Sequence, residues 1–290
     1  MRNIDEDNIT DTFMGYMGSD MDPRLRVVLG CLVKHLHRFA TEVNLTHEEW
    51  NKGIEFLEKA GRISNAQRHE FVLLSDVLGL SSLVDMLHSS PQGTSSSVLG
   101  PFHIPDSPPL PLGGDLRKDF PDPILLVKGT IKDPQGNPIP DATLDIWQTA
   151  PNGLYSSQDP DQETYSFHGI QSVGDDGRYA FTTLRPVEYT VPTDGPVGDI
   201  LRACGRHPWR PAHLHFIVKA DGYKTLVTEI FSADDPYLDQ DTVFGVREDL
   251  IMRYQKMQAS SFPDEGYDLS GKVDEPYWKV VFDLTLVPID

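Results

Sequence analysis

The run Arg210-Pro211-Ala212-His213-Leu214-His215-Phe216 sets two imidazoles one residue apart, with an arginine just upstream. Side chains alternate faces along a strand, so His213 and His215 share one side while Leu214 and Phe216 share the other. Same-face neighbours lie about 7 Å apart along the strand, and neutral imidazole binds most first-row metals. A histidine pair on a solvated strand face reads the same way, and the run alone does not separate the two. Two tyrosines stand in loop-like sequence: Tyr155 ends Asn152-Gly153-Leu154-Tyr155, and Tyr189 ends Arg185-Pro186-Val187-Glu188-Tyr189. Taken singly, each also reads as a surface packing residue.

Elements of two kinds must position these groups. Residues 24–41 carry Leu25, Val28, Leu29, Leu32, Val33, Leu36 and Phe39 at helical spacing. A second helix follows Thr46, with Glu48 and Glu49 in its first turn. Two shorter helices fit 65–76 and 79–88, the first with a capping box from Ser64 and Gln67. Near residue 90 the composition turns to Ser, Pro and Gly, and 91–123 reads as a strap lying over something, too long for a simple connector.

Beyond it the periodicity becomes two. LLVKGTIKD and ATLDIWQT read as a hairpin joined by a long loop, and further strands fit 177–184, 212–220, 224–232 and 277–288. The segment 247–257 is expected to be the one helix of this half. The fold expected is mixed: an antiparallel β-sandwich catalytic domain over 91–290, preceded by an α-helical region over 1–90.

The bulk properties exclude several classes. With 25 basic against 44 acidic residues, the formal charge of −19 repels phosphate backbones and anionic membranes, which argues against a nucleic-acid partner. Two cysteines far apart and without CxxC spacing argue against a disulfide framework or a thiolate zinc site. No apolar run reaches the length of a membrane span. The N-terminus is acidic and lacks an apolar targeting core, so a cytoplasmic location is expected.

Taken together, four motifs follow one known order. These are Trp147-x-x-x-x-Asn152-Gly153-x-Tyr155, Gly177-Arg178-Tyr179-x-Phe181, Arg185-Pro186-x-x-Tyr189 and Arg210-Pro211-Ala212-His213-x-His215. Over most of its length the chain resembles the intradiol ring-cleavage dioxygenases. The helical half resembles the dimerisation and linker region of their catechol and hydroxyquinol branch, as does Leu99-Gly100-Pro101-Phe102-His103 in the strap.

The resemblance implies one non-haem Fe(III) per subunit, held by Tyr155, Tyr189, His213 and His215, with Tyr189 the ligand that leaves when substrate arrives. The residue types suit that ion. Phenolate is a hard anion that favours a hard trivalent metal, whereas zinc more usually recruits Cys or a third His. Two phenolates and two neutral imidazoles leave one net positive charge and a fifth position for hydroxide. A catechol-type diol binding through both oxygens sheds two protons, which tyrosinate and hydroxide accept. Arg210, permanently charged, is then expected to act catalytically by stabilising the ring anion formed before O2 attacks; a surface ion pair is its alternative. A glutamine often stands in the catechol branch where this chain has Glu229, and a carboxylate there would bond a histidine ligand, meet substrate or face elsewhere.

The substrate pocket implied by the resemblance takes Leu73, Asp76, Val98, Leu99, Gly100 and Pro101, with Glu229. Asp76 would accept a hydrogen bond from a third ring hydroxyl, and plain catechol would leave it unpaired; helix capping is the alternative. The run from Asp234 to Asp239 and on through Val243 to Arg247 also resembles the hydroxyquinol branch. Hydroxyquinol (1,2,4-trihydroxybenzene), cleaved to a hydroxymuconate or maleylacetate, is therefore the expected substrate, with catechol, giving cis,cis-muconate, behind it. The apolar helix stripes lead us to expect a homodimer. Some relatives hold a lipid in that interface, and these residues leave the point open.

Other classes fit less well. A cupin needs a glutamate shortly after its His-x-His and a later histidine, and neither follows His215. A zinc hydrolase lacks a third ligand and an activating base. A non-catalytic β-sandwich binding module needs none of the tyrosine and histidine set.

Overall fold

The computed structural model describes residues 3–65, 68–117, 120, 123–258 and 276–289. Helices α1 (Ile9–Tyr16), α2 (Pro23–Glu42), α3 (His47–Ile63), α4 (Glu70–Val77) and α5 (Leu80–His88) come first. Then follow β1 (Gly114–Asp115), β2 (Ile124–Lys132), β3 (Thr143–Trp147), β4 (His168–Ser172), β5 (Arg178–Leu184) and β6 (Tyr189–Thr190). The remainder is α6 (Pro196–Ala203), β7 (Trp209–Arg210), β8 (His213–Lys219), β9 (Leu226–Ser232), β10 (Ile251–Met252), β11 (Gln255–Met257), β12 (Tyr277–Val281) and β13 (Leu284–Thr285).

The chain divides into two compact units, residues 1–59 and 60–290. In the first, α2 begins at Pro23, whose missing N–H costs nothing at a helix start, and the Asp22 carboxylate accepts from Leu25 N at 2.8 Å. At α3 a reciprocal capping box forms: Glu49 N donates to Thr46 Oγ1 at 3.2 Å, and Thr46 N donates to Glu49 Oε2 at 3.0 Å. Along α2, Leu25, Val28, Leu32, Leu36 and Phe39 keep helical spacing yet are 47–54% exposed. Trp50, Ile54 and Leu57 form a similar exposed stripe on α3.

The second unit is a β-sandwich with α4, α5 and the strap. One sheet runs β1-β5-β2-β12-β11, with β13 also on β2; the other runs β10-β9-β8-β3-β4. The core between them follows strand alternation: Leu125, Val127, Tyr179, Phe181 and Val280 meet Leu144, Ile146, Leu214, Phe216, Val218 and Ile230. Each such side chain removed from water is worth about 1.5–3 kcal/mol. What alternation sends inward on β8 fixes what it sends outward, and His213 and His215 emerge on the opposite face. Register then sets His168, Trp147, His215 and Glu229 in one row across four strands.

The strap is tied down rather than loose. Ser97 N donates to Val227 O at 3.0 Å, Leu110 N to Ile170 O at 2.7 Å, and Leu116 N to Thr182 O at 2.8 Å. Its backbone groups thereby find partners that water would otherwise supply.

Several expectations need correction. The strands β2 and β3 do not form a hairpin: β2 pairs β5, β12 and β13, while β3 pairs β4 and β8 in the other sheet. Nor is 247–257 a helix; a single 3-10 turn at Glu248–Leu250 leads into β10 and β11. Among the described residues the α-helix of this half is α6, opened by Pro196. Its pattern is broken by Gly198, where a Cβ would fall 2.1 Å from the Thr193 carbonyl oxygen, a close approach only glycine permits. The first short helix starts at Glu70, not 65. Gln67 of the expected capping box lies outside the described residues, and Ser64 Oγ accepts instead from Glu70 N at 3.2 Å. The sandwich is also not purely antiparallel, since β12 and β13 run parallel to β2.

Candidate active site

Four donor atoms converge on the outer face of the β8 sheet. His213 Nε2 and His215 Nε2 stand 3.1 Å apart, and Tyr155 Oη lies 3.0 Å from His215 Nε2, 3.4 Å from His213 Nε2 and 3.4 Å from Tyr189 Oη. All four residues are buried. Each arrives by a local device. The turn at Ala150–Leu154 presents Tyr155, and Gly153 at φ +77 would place a Cβ 3.3 Å from that of Tyr189, so the glycine serves both the turn and the close approach. Tyr189 sits on the two-stranded ribbon β6-β7, paired with Arg210. Phe102 of the strap stacks on Tyr155 at 4.8 Å, and Trp147 lies flat against His215 at 4.6 Å and 4°.

The chemistry of this donor set asks for a cation. His213 Nδ1 donates to Pro211 O at 2.7 Å, which fixes the tautomer and leaves the Nε2 lone pair facing the cluster. Burial, with Arg210 adding to it, pushes the His213 imidazole down to about 4. Burial and then His213 hold His215 well below its ordinary range. The phenols move the other way: burial raises Tyr155, with Tyr189 adding to it, and burial raises Tyr189 against the pull of Arg210. Two neutral nitrogens facing each other beside two phenol oxygens gain little from one another, and a multivalent cation would satisfy all four and reverse the phenol trend.

A second grouping, His213, His215 and Glu229, also brings potential ligand atoms within 4.8 Å of one another. It is the weaker metal site. Glu229 approaches His215 from the Nδ1 side, at 3.1 Å, behind the ring rather than at Nε2. Its carboxylate is moreover bound bidentately by Arg210, Nη1 to Oε1 at 2.9 Å and Nη2 to Oε2 at 3.0 Å.

Arg210 is itself saturated. Nε and Nη2 reach Asp241 at 3.1 and 3.3 Å, and the remaining Nη1 contact is His213 Nε2 at 3.0 Å. The surface ion pair considered for it is excluded, since Arg210 is 2% exposed. Burial pushes the Glu229 carboxyl upward, but Arg210 and neighbouring donors outweigh this and hold it below its ordinary value.

A cavity of about 750 Å³ adjoins the cluster, lined by Asp76, Leu99, Gly100 and Pro101 together with Val72, Ser81, Val84 and Asp85. Gly100 marks the junction: a Cβ there would lie 3.8 Å from His215 Cε1. Asp76 does not cap α4. It stands next to the last residue of the helix, 2% exposed, where the helix dipole disfavours a carboxylate. Burial pushes its carboxyl up to about 6, against a smaller pull from Ser81 and Arg210. Asp85, half-buried in the same cavity and absent from the sequence reading, is also raised to about 6 by burial.

Of the residues expected to line the pocket, Leu73 and Val98 are buried, at 3% and 1% exposure, and are not part of this cavity's lining. Glu229, also expected to meet substrate, is fully buried and outside the cavity lining, because Arg210 and Ser97 take its oxygens. Ser97 and Asp241, which complete the Arg210 network, were not anticipated; short polar residues in loops carry no periodic signal.

Comparison with known proteins identifies the family. The family described as Dioxygenase matches residues 115–286, and that described as Catechol dioxygenase N terminus matches residues 22–95. A hydroxyquinol 1,2-dioxygenase of Rhizobium sp. is 42% identical over 284 residues, covering 97% of this chain and 95% of that protein. A catechol 1,2-dioxygenase of Candida albicans is 38% identical over 283 residues, covering 96% and 91%. The crystal structure of hydroxyquinol 1,2-dioxygenase from Pseudomonas putida DLL-E4 matches with a TM-score of 0.87 at 41% identity, over 98% of this chain and 99% of that one. With motif order, sandwich architecture and near-full-length relatives in agreement, this chain belongs to the intradiol ring-cleavage dioxygenases, in the branch that holds the hydroxyquinol and catechol enzymes.

Proposed function

We propose that this enzyme cleaves hydroxyquinol between its two adjacent hydroxylated carbons with O2, giving a hydroxymuconate tautomeric with maleylacetate. The observation that carries the choice of diol is Asp76, a buried carboxylate held against the helix dipole in the cavity beside the four-donor cluster. A third ring hydroxyl would give that carboxylate a strong donor beside Ser81; catechol would leave it desolvated with Ser81 alone to offset the burial.

Tyr155, Tyr189, His213 and His215 fit a ferric ion by donor type, burial and convergence. Bound there, it would supply a Lewis-acidic, electron-accepting centre for the diol. Tyr189 Oη, whose contact within the cluster is the 3.4 Å approach to Tyr155 Oη and which also lies beside Arg210, would be the phenol to give way to substrate and take up a diol proton. Tyr155 Oη touches three members of the cluster and stays. Four of the five Arg210 donors are committed to Glu229 and Asp241, which leaves one Nη1–H aimed at His213 Nε2. With that nitrogen's lone pair engaged by a cation, this N–H would be released from His213 and could serve negative charge developing on a ring bound beside it. Gly100, at φ +70, carries the strap past His215 in a backbone conformation that favours glycine.

Oxygen uptake with each diol tests the assignment. Hydroxyquinol is expected to show a kcat/KM about 10²-fold or more above catechol, with ring-opened product absorbance. A preference for catechol would move the assignment to catechol 1,2-dioxygenase, and no uptake with either would end it.

Residues 1–90 serve in this reading as the dimerisation and linker region, and 91–290 as the catalytic domain with its strap at 91–123. The exposed stripes of α2 and α3 are larger than a solvated helix face needs, and we assign them to a homodimer. Sedimentation equilibrium should give the mass of two chains, and a single-chain mass would refute the pairing. Both cysteines are free and exposed, which suits a reducing compartment such as the cytoplasm.

A further inference from the structure

Four donors converge on the two oxygens of the fully buried Glu229. Arg210 Nη1 at 2.9 Å and His215 Nδ1 at 3.1 Å face Oε1, while Arg210 Nη2 at 3.0 Å and Ser97 Oγ at 2.6 Å face Oε2. An ionised carboxylate accepts at both oxygens, whereas a carboxamide would turn an NH2 toward one pair of these donors. The backbone is shaped around the group: a Cβ on Gly245 would fall 2.9 Å from Glu229 Oε2 and 2.8 Å from Arg210 Nη2. Only glycine lets the chain pass so close.

Each donor leads to a different part of the site. Arg210 continues to His213 Nε2 at 3.0 Å. Ser97 immediately precedes Val98, then Leu99 and Gly100 at the cavity. His215 turns Nε2 toward Tyr155, so Nδ1 carries the ring proton, and among the described residues no aligned hydrogen bond takes it. Glu229 Oε1 is the acceptor within reach, and a small ring rotation would align it.

We propose that Glu229 is a positioning residue that joins the ligand histidine, the active-site arginine and the lip of the substrate cavity, and that its negative charge strengthens His215 as a donor. The proposal rests on the iron reading of the four-donor cluster. A carboxylate behind a ligand imidazole raises its basicity, which lessens the ion's demand on the phenolates. The tyrosinate-to-iron absorption therefore lies at shorter wavelength with Glu229 than with a neutral residue.

The test compares the iron-loaded wild type with Glu229→Gln, Glu229→Asp and Ser97→Ala, by visible spectra and by separate kcat and KM for hydroxyquinol. Glu229→Gln is expected to keep colour, move the band to longer wavelength and lower kcat about tenfold or more. Glu229→Asp, which keeps the charge but draws it back from His215, moves the band the same way by less, and carries the test if the glutamine variant does not fold. Ser97→Ala should leave the band in place and raise KM about fivefold, the size of one lost hydrogen bond. An unmoved band in the folded Glu229 variants overturns the proposal while leaving the iron reading intact. A colourless iron-treated wild type overturns both.

Discussion

Replacing Tyr155 by phenylalanine is expected to leave a folded protein whose tyrosinate-to-iron absorption, when it is loaded with ferric iron, is weakened and shifted because Tyr189 is the one phenolate left, and which has lost about 10²-fold or more of its ring-cleaving activity. The ring is fully buried and stacks on Phe102 at 4.8 Å, so phenylalanine preserves the packing. Only Oη disappears, and its contacts are with His215, His213 and Tyr189. Removing one partner of a buried polar set usually strands the other, but here the companions are two nitrogens and a phenol that the proposed ion also engages. Stability therefore changes little, while the ligand field and the rate change greatly, at least by the factor seen when one well-aimed donor is removed from an active site. Visible spectroscopy, bound iron per chain and far-UV circular dichroism on the same preparation check this. A folded variant with unchanged colour would remove Tyr155 from the ligand set.

Asp76→Asn is expected to exchange activity for stability. Burial raises the Asp76 carboxyl from its ordinary 3.8 to about 6, so the fold disfavours the charged form. The sign follows from linkage: stability is fullest below pH 4, where the group is protonated folded or unfolded, and declines as pH rises through about 6. By that shift the ionised carboxylate costs the native state roughly 3 kcal/mol at neutral pH, and the neutral amide recovers much of it. The melting temperature at pH 7.5 should rise.

Activity moves oppositely. The carboxylate, not the acid, accepts the third ring hydroxyl, so wild-type kcat/KM for hydroxyquinol should climb as pH rises through about 6, and catechol should show no such climb. Arg210 on one side and Glu229, Asp241 and Asp85 on the other bear on this titration, and Asp85 itself titrates near 6. The asparagine variant separates them: it should lose the climb and about 10²-fold in hydroxyquinol kcat/KM, with catechol turnover nearly unchanged. A variant that keeps the wild-type preference would place the third-hydroxyl contact elsewhere, Asp85 first.

How much of this was legible depends on how local the signal is. The alternation His213-Leu214-His215-Phe216 dictates a strand with one apolar and one ligand face, and the structure sends Leu214 and Phe216 into the core while both imidazoles meet Tyr155. Thr46 and Glu49 carry a helix start within four residues. Pairing of β2 with β5 rather than β3 is a choice between sheets, decided by side chains far apart in sequence, and no turn signal reports it. The same holds for Glu229: alternation puts it on the ligand face, but only the arrival of Arg210 and Ser97 turns its carboxylate away from the cavity. Leu73 and Val98 stand outside the cavity lining for a simpler reason. Residues next to pocket-lining positions on a helix or strap share their sequence neighbourhood but not their direction.

Anomalous diffraction at the iron edge, from crystals of the protein loaded with ferric iron, tests the central claim most directly. The account predicts one peak per chain, in bonding reach of Tyr155 Oη, Tyr189 Oη, His213 Nε2 and His215 Nε2. A peak on the Glu229 side of His215, coordinated by the carboxylate and lacking both tyrosines, would contradict it.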